Sequence, residues 1–551
     1  MIYTLIGLLI FFCLICLSVF NQQKRKNKLA STIKENWAKV KTDNINISKL
    51  EWYAPSNSKK FHEIGVQTIT DIDFYPLFAF INRTVSKVGE QFLHNKLKTP
   101  TNCKEELSKL DEQITFFEEN SKKREEAQIE LSKLSSDDAY HIAILLNKKL
   151  IHQPNWFKWL YVDVILLIVS AIASIKYPYF LLLTILIAAF NIIYLNYWNK
   201  RYILSLTKAL TQLNLLINVS KKLSKQQLPF KNEAVLTGVD IFAKFQRKIR
   251  ILFINVNPRS PEDISQALIY LFELFKSLFL IDIFTVFSLA NAIENNQSHI
   301  SSLFEYVGSI DSALSIASLR SSAINTCKPI FTTEGKSISV KGIIHPLIEN
   351  CIPNDIHLHN KGLLLTGSNM SGKTTFLRTL SINSLLAQTI YTCFADEYKA
   401  PFLKLFTSIR IEDDLFQRKS YFLEEVTIMG KLIEEADKNT SNLFIMDEVF
   451  KGTNTIERIA AAKSVLSYLN KKNLVFVATH DVELLEMLSQ EYDLYHFTET
   501  VEEGNLIFDH KLKKGELKTK NAIKILEISN YPAEIINEAI QISQNISTYK
   551  P

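Results

Sequence analysis

Gly367, Ser368, Asn369, Met370, Ser371, Gly372, Lys373 and Thr374 have the spacing G-x-x-x-x-G-K-[ST]. Such a loop surrounds phosphate oxygens with successive backbone N–H groups, backed by the N-terminus of a helix. Lys373 is placed to reach the β- and γ-phosphates of a nucleotide, and Thr374 to put its hydroxyl on Mg²⁺. The motif requires a strand before it and a helix after it. Leu363–Leu365 reads as that strand. A helix opens at Thr375, which joins the phosphate-binding set, and runs to Leu386.

Two further segments supply what a phosphoryl-transfer site needs. Leu443 to Met446 reads as a buried strand ending in Asp447 and Glu448. Paired carboxylates there set one beside the magnesium and one beside the attacking water. Asp447 is the metal-side carboxylate and Glu448 the candidate general base. Asp-Glu after a strand is often only a strand end; the phosphate loop about 75 residues earlier gives the pair its meaning. His480 follows a strand ending at Thr479, where a side chain can touch the γ-phosphate or its water. A lone histidine at a strand end is usually structural, and the ordered motifs before it favour a catalytic role.

These residues need a scaffold of alternating strands and helices. From about residue 335 short apolar runs alternate with helical stretches, which argues for a largely parallel sheet with helices on both faces. Residues 21–155 read mostly as helix: Leu107, Leu110, Ile114 and Phe117 recur at three- and four-residue spacing, then Ala127, Leu131 and Leu134. Residues 202–325 read as helix again, with Ala267 to Ile281 a buried core helix. Glu516 to Ser547 reads as two short helices, Pro532 in the first turn of the second. The 551 residues are too many for one core, and 47% apolar with 22% charged excludes a disordered chain. Fourteen Gly and fourteen Pro disfavour a turn-rich all-β protein. A net charge of +6 says little about nucleic acid, and six cysteines make no disulfide scaffold.

Three apolar runs point to a membrane. Ile2 to Phe20 is 19 residues without a charge, a helix of about 28 Å, close to bilayer thickness. Its C-x-x-C pair, Cys13 and Cys16, reads as lipid-facing side chains. Lys24, Arg25, Lys26 and Lys28 follow it, the reverse of a cleaved signal peptide, so the run reads as an uncleaved anchor with these basic residues in the cytoplasm. Trp159 to Ile175 and Tyr179 to Trp198 form a hairpin joined by Lys176, Tyr177 and Pro178. Aromatic residues at its base and Lys200 with Arg201 place both ends in the cytoplasm. Asp163 lies near that end, within reach of headgroups; the same runs would also suit a buried hairpin in a soluble core.

Thr366 to Arg378 resembles the Walker A segment of one family, the MutS DNA mismatch-repair ATPases. Asp447-Glu-Val-Phe-Lys-Gly-Thr-Asn-Thr455 is similar to its D-E-I-G-R-G-T-S-T, with Phe450 and Lys451 departing from it. Ala478-Thr479-His480 matches its A-T-H. Ser420 to Glu425 resembles its S-x-F-x-x-E, which in the family reaches the partner subunit's nucleotide. His345-Pro346 and Asn354-Asp355 stand where it has an H-P and a nucleotide-contacting loop. Leu77 to Gly89, Leu93 to Pro100 and Gly308 to Ala317 more weakly resemble its helical core. The resemblance covers most of residues 65–545. It implies ATP and Mg²⁺ as cofactors, Ser420 in a composite site, a homodimer, and duplex DNA as a possible partner. No L-S-G-G-Q segment points to an ABC transporter ATPase.

The expected organisation is an α/β P-loop NTPase domain preceded by an all-α core and lever region with transmembrane helices. Its parts are an anchor (1–20), a helical core and lever (21–155), a transmembrane hairpin (156–201), a returning lever (202–334), an ATPase domain (335–515) and a dimerising tail (516–551). The expected protein is multi-pass, with three spans and a cytoplasmic ATPase. The family's mismatch-reading domain and full DNA clamp are not visible, and the hairpin takes the clamp's place. The expected function is a membrane-anchored ATPase that couples nucleotide turnover to lever movement and is related to mismatch repair and DNA binding. The alternative is a DNA-independent membrane or envelope machine; a scaffold without turnover fits the intact motifs poorly.

Overall fold

The computed structural model describes residues 20, 23–24, 27–41, 45–55, 60–146, 156–195, 204–231, 233–252, 271, 274–333, 335–368, 370–410, 421–438, 440–502, 505–517, 523, 526–527 and 531–548. The anchor expected at Ile2–Phe20, with Cys13 and Cys16, lies outside the described residues except for Phe20. So do residues 267–270, 272 and 273, the hairpin's end at Trp198, and the site residues Asn369 and Ser420. In the described remainder of the core helix expected over 267–281, Leu271, Leu274 and Phe275 are exposed and not buried.

The chain divides into two compact units, one of residues 1–58, 81–95 and 112–321, the other of 59–80, 96–111 and 322–551. The helical region before residue 155 is therefore shared between them, and not one block as expected. In the second unit this has a clear cause. Asp71 is fully buried, and its carboxylate accepts hydrogen bonds from Thr407 Oγ1 at 2.6 Å, Ile409 N at 3.0 Å and Arg410 N at 2.8 Å. A charge-assisted bond of this kind ties residues 59–80 to a strand over 330 positions away.

The first unit is helical in its described part. The long amphipathic helix expected over 107–134 breaks at Asn120, giving Lys104–Glu119 and Ser121–Leu131. Helix Gln297–Arg320 buries Leu303, Phe304, Val307, Ile310 and Leu314. At its middle the buried Asp311 accepts from Val85 N at 2.9 Å, Ser86 N at 2.7 Å and Ser86 Oγ at 2.5 Å. This satisfies orphan donors where helix Lys87–Lys98 begins. Burial pushes the Asp311 carboxyl up to about 6, against the pull of those same bonds. Gly89 and Asp311, from two stretches that the sequence had separately marked, meet here: a Cβ on Gly89 would stand 2.2 Å from Asp311 Oδ2.

The hairpin consists of Phe157–Ser174 and Phe180–Phe190, the latter passing into a π-helical turn at Asn191–Leu195. Among the described residues one helix, Phe157–Ser174, is long and apolar enough to cross a membrane; Phe180–Ile193 is apolar but shorter. Ile165, Val169, Ile172, Leu182, Ile185 and Leu186 are exposed along it. Between the helices, Thr184 Oγ1 donates to the buried Ser170 Oγ at 3.0 Å.

The second unit is α/β. Its strands are β1 (Ile330–Phe331), β2 (Ser337–Ile343), β3 (Asn354–His359), β4 (Gly362–Thr366), β5 (Glu397–Ala400) and β6 (Lys404–Ser408). They continue as β7 (Asn442–Asp447), β8 (Leu474–Ala478), β9 (Tyr492–His496), β10 (Glu499–Glu502), β11 (Asn505–Phe508) and β12 (Lys513–Lys514). The larger sheet has the order β12-β9-β4-β8-β7-β6, parallel except at β12. Helix Lys373–Thr389 starts two residues before the expected Thr375 and ends three beyond Leu386. A second sheet, β1-β5-β2-β3, is antiparallel at both edges of β2. A parallel β2–β3 pair would need a crossover of a dozen or more residues, and the link between them is too short. In the tail, one helix covers Ala533–Thr548 with Pro532 before its first turn; its expected predecessor lies largely outside the described residues.

Replacing Gly89 with Ala overpacks the Asp311 contact and is expected to cost about 1–3 kcal/mol. An earlier midpoint in chemical denaturation followed by circular dichroism checks this; an unchanged midpoint would show that Asp311 can yield.

Candidate active site

Parallel register assembles the site. Leu365 pairs with Ala478, and Ala478 on its other side pairs with Asp447. The carboxyl ends of β4, β8 and β7 therefore emerge side by side, where open α/β sheets bind ligands. The phosphate loop leaves β4 at Gly367, whose φ of +146° favours glycine. A Cβ there would also meet Phe497 O and Ser371 Oγ at 2.8 Å. Gly372, at φ +114°, opens helix Lys373–Thr389.

Lys373 is buried, and its Nζ donates to Gly367 O at 2.7 Å and Ser368 O at 3.0 Å. Burial lowers its pKa, opposed by the charges of Asp447, Glu448 and Glu499. Thr374 Oγ1 donates to Asp447 Oδ2 at 2.5 Å. Burial holds the Asp447 carboxyl above the usual range, with the Thr374 bond opposing it. The hydroxyl and carboxylate expected to share a magnesium ion thus already touch.

Glu448 adopts φ +54° and Phe450 φ +61°, left-handed conformations that cost about 1–3 kcal/mol each in a non-glycine residue. Glu448 N donates to Ala478 O at 2.9 Å, which anchors the turn. Glu448 Oε1 lies 3.1 Å from His480 Nε2, and Oε2 lies 2.8 Å from Lys451 Nζ. The His480 contact, with Lys451, pulls the Glu448 carboxyl down to about 2, against burial. Its folded pKa is depressed, so these contacts stabilise the fold above about pH 4.5 and lose that effect as pH falls towards 2. His480 Nε2 is also 3.3 Å from Lys373 Nζ. The residue after it, Asp481, holds Arg458 through two bonds, at 2.6 and 3.1 Å.

Loop 449–453 departs from the family motif at two positions, and both are accounted for. Phe450 is buried in the core with Met429 and Leu432. Lys451 engages Glu448 within the chain. The loop is held by Glu425, a buried residue of helix Tyr421–Ala436, whose oxygens accept from Lys451 N at 3.0 Å and Gly452 N at 3.2 Å. Burial raises the Glu425 pKa, while those backbone bonds lower it.

A cleft of about 440 Å³ opens from Lys373, Thr374 and Thr375 towards Ile348, Ile352, Phe497 and His510. A polar end continuous with an apolar end suits a phosphate chain carrying a base. Asn354, a residue of the expected nucleotide-contacting loop, lines the cleft and fixes the His510 segment: its side chain donates to His510 O at 3.1 Å and accepts from Leu512 N at 2.7 Å. Gly367, Ser368, Met370, Ser371, Gly372, Lys373, Thr374 and Thr375 come together with Asp447, Glu448 and His480 at this one edge.

Three contributors had no role assigned from the sequence. Glu425 was seen only as part of a motif. Glu499 is buried and accepts from Ser368 Oγ at 2.7 Å, and His510 Nδ1 lies 3.1 Å from Ser371 O. The signal that could have found the last two is topological: they follow β9, which runs parallel beside β4 and so ends beside the phosphate loop. Among the described residues no cluster of three His, Cys, Asp or Glu side chains forms a metal cage. A hydroxyl, one carboxylate and phosphate oxygens are the ordinary magnesium arrangement, and the residues present fit it.

Residues 363–547 match the family model described as MutS domain V. The chain is 33% identical over 254 residues to the DNA mismatch repair protein MutS of Pseudothermotoga lettingae, covering 44% of this chain and 30% of that protein. It is 31% identical over 265 residues to the protein of the same name from Thermotoga maritima, covering 46% and 33%. The Staphylococcus epidermidis protein of that name is 31% identical over 240 residues, covering 41% and 27%. The chain thus aligns with about a third or less of the length of these relatives.

Replacing Glu425 with Ala leaves two backbone N–H groups without acceptors and is expected to destabilise the loop by about 2 kcal/mol. Faster hydrogen exchange at Lys451 and Gly452 measures it, with Glu425→Gln retaining most of the protection. Equal protection in the Ala variant would show that water replaces the carboxylate.

Proposed function

This chain is a member of the MutS family through its C-terminal domain, and we propose that it hydrolyses ATP there, as a dimer, to drive a membrane-seated helical lever. The observation that carries the ATPase reading is the Thr374–Asp447 contact at 2.5 Å beside the Glu448–His480 pair at 3.1 Å. In this reading the N–H groups of Ser371 to Thr374 and the Lys373 ammonium bind the phosphates, Lys373 exchanging its carbonyl partners for phosphate oxygens. Thr374 and Asp447 hold the magnesium ion, which screens phosphate charge when bound.

Glu448 orients the attacking water. A carboxylate with a pKa near 2 is a poor proton acceptor in water. Phosphate charge raises it, and release of Lys451 or His480 raises it further, so base strength rises as the nucleotide settles. His480 is placed to hold the water or the γ-phosphate on the other side. Ser420 of a second copy completes the site by family resemblance, which makes the working unit a dimer.

The relatives' name brings DNA mismatch repair, and duplex DNA, to this reading. A second reading is a DNA-independent machine acting on a membrane partner. It is motivated by the hairpin standing where the family has its DNA clamp. The exposed apolar faces of Phe157–Ser174 and Phe180–Phe190, where Ile172 is 64% and Leu182 66% exposed, support a membrane seat in both readings. Either reading seats the hairpin in lipid, with the ATPase domain in the cytoplasm.

Glu448→Gln is expected to keep ATP binding and lose about 10²–10⁴-fold in turnover, a general base's contribution. Assaying wild type and variant with and without duplex DNA at several salt concentrations tests this together with the DNA reading. Unchanged turnover in the variant removes Glu448 from the mechanism. DNA that neither binds nor stimulates favours the second reading. Expressed in cells, the full chain is expected in the membrane pellet after alkaline carbonate extraction, and its release to the supernatant would overturn the membrane placement.

A further inference from the structure

Cys327 and Cys393 face each other across an antiparallel bridge. Cys327 N donates to Cys393 O at 2.8 Å, and Cys393 N donates to Cys327 O at 2.9 Å. A doubly bonded pair of this kind sets its Cα atoms about 5.5 Å apart. That lies within the separation of about 4.4–6.8 Å that a disulfide spans. Both are thiols, neither joined in a disulfide. Cys393 Sγ also contacts Asn383 O at 3.6 Å, late in helix Lys373–Thr389.

This pair is not part of the nucleotide cleft. The helix has 17 residues and spans about 25 Å, with the phosphate loop at its start and Cys393 beyond its end. The two thiols differ in access: Cys393 is fully buried and Cys327 is half-buried. The hydrogen bond from Cys393 lowers the Cys327 pKa against burial and the charges of Asp396 and Glu397. A half-exposed thiol with a lowered pKa, facing a second cysteine directly across a backbone bridge, is the arrangement of an attacking and a resolving cysteine.

We propose that Cys327 and Cys393 form a reversible disulfide when the chain meets hydrogen peroxide, a modification site separate from the nucleotide site. The Cys327 thiolate attacks one peroxide oxygen, the O–O bond breaks, hydroxide leaves, and the sulfur is oxidised by two electrons to a sulfenic acid. The Cys393 thiolate then attacks that sulfur, the S–S bond forms, and the hydroxyl leaves as water with the Cys393 proton. Two thiols and one peroxide give one disulfide and two waters. The bond fastens the chain that enters the second unit to the segment following the helix of the phosphate loop.

The test treats the full-length protein in detergent with peroxide, blocks remaining thiols by alkylation, and maps unreduced peptides by mass spectrometry. The expected result is a linked pair holding Cys327 and Cys393, removed by dithiothreitol, with a higher thermal midpoint in the oxidised protein. Cys327→Ser should leave Cys393 alkylated. Should that variant fold poorly, the wild-type linked peptide decides alone. Cys327 found as sulfinic acid with Cys393 still alkylated, or both thiols untouched while exposed Cys103 oxidises, would overturn the proposal.

Discussion

The site depends on one register. Ala478 stands between Leu365 and Asp447 in three adjacent parallel strands. Side chains alternate faces along a strand, so a slip of one residue at either pairing would turn Asp447 away from Thr374 and move His480 off Glu448. The runs Leu363–Leu365, Leu443–Met446 and Leu474–Ala478 are buried without interruption, as strands covered on both faces must be. Hydrophobic burial thus fixes the alignment on which the 2.5 Å contact of hydroxyl and carboxylate depends.

That separation of tasks explains what could be read from the sequence. The phosphate loop is local: eight residues, with Gly367, Met370 and Gly372 at positive φ, and one helix start specify it. Asp447, Glu448 and His480 were legible because each follows an apolar run of strand length. Glu499 and His510 were not, because their role arises from β9 lying beside β4, a neighbour relation without local trace. The same holds for Asp71, whose bonds to Thr407 and Arg410 join segments that looked like separate domains. The hairpin was legible as apolar and helical. Its second helix ending at Phe190 in a π-turn was not, because hydrophobicity does not count residues per turn.

The two units use buried carboxylates in the same manner. Asp311 gathers the amides of Val85 and Ser86, Asp71 those of Ile409 and Arg410, and Glu425 those of Lys451 and Gly452. Each fixes a turn where regular pairing stops, and burial strengthens each bond by lowering the local dielectric. Loops that a hydrophobic core cannot hold are in this way given defined positions.

The Glu425 clamp has an evolutionary side. It grips main-chain N–H groups, which every residue except proline supplies, so the clamp itself does not specify the side chain at 451; at 452 a Cβ would stand 2.8 Å from Phe422 Cβ, which keeps that position glycine. Lys451, which stands where the similar motif has Arg, can therefore differ while the loop keeps its path, provided that the acid on the neighbouring helix is kept. Selection at this loop would then be recorded in the helix that holds it as well as in the loop itself.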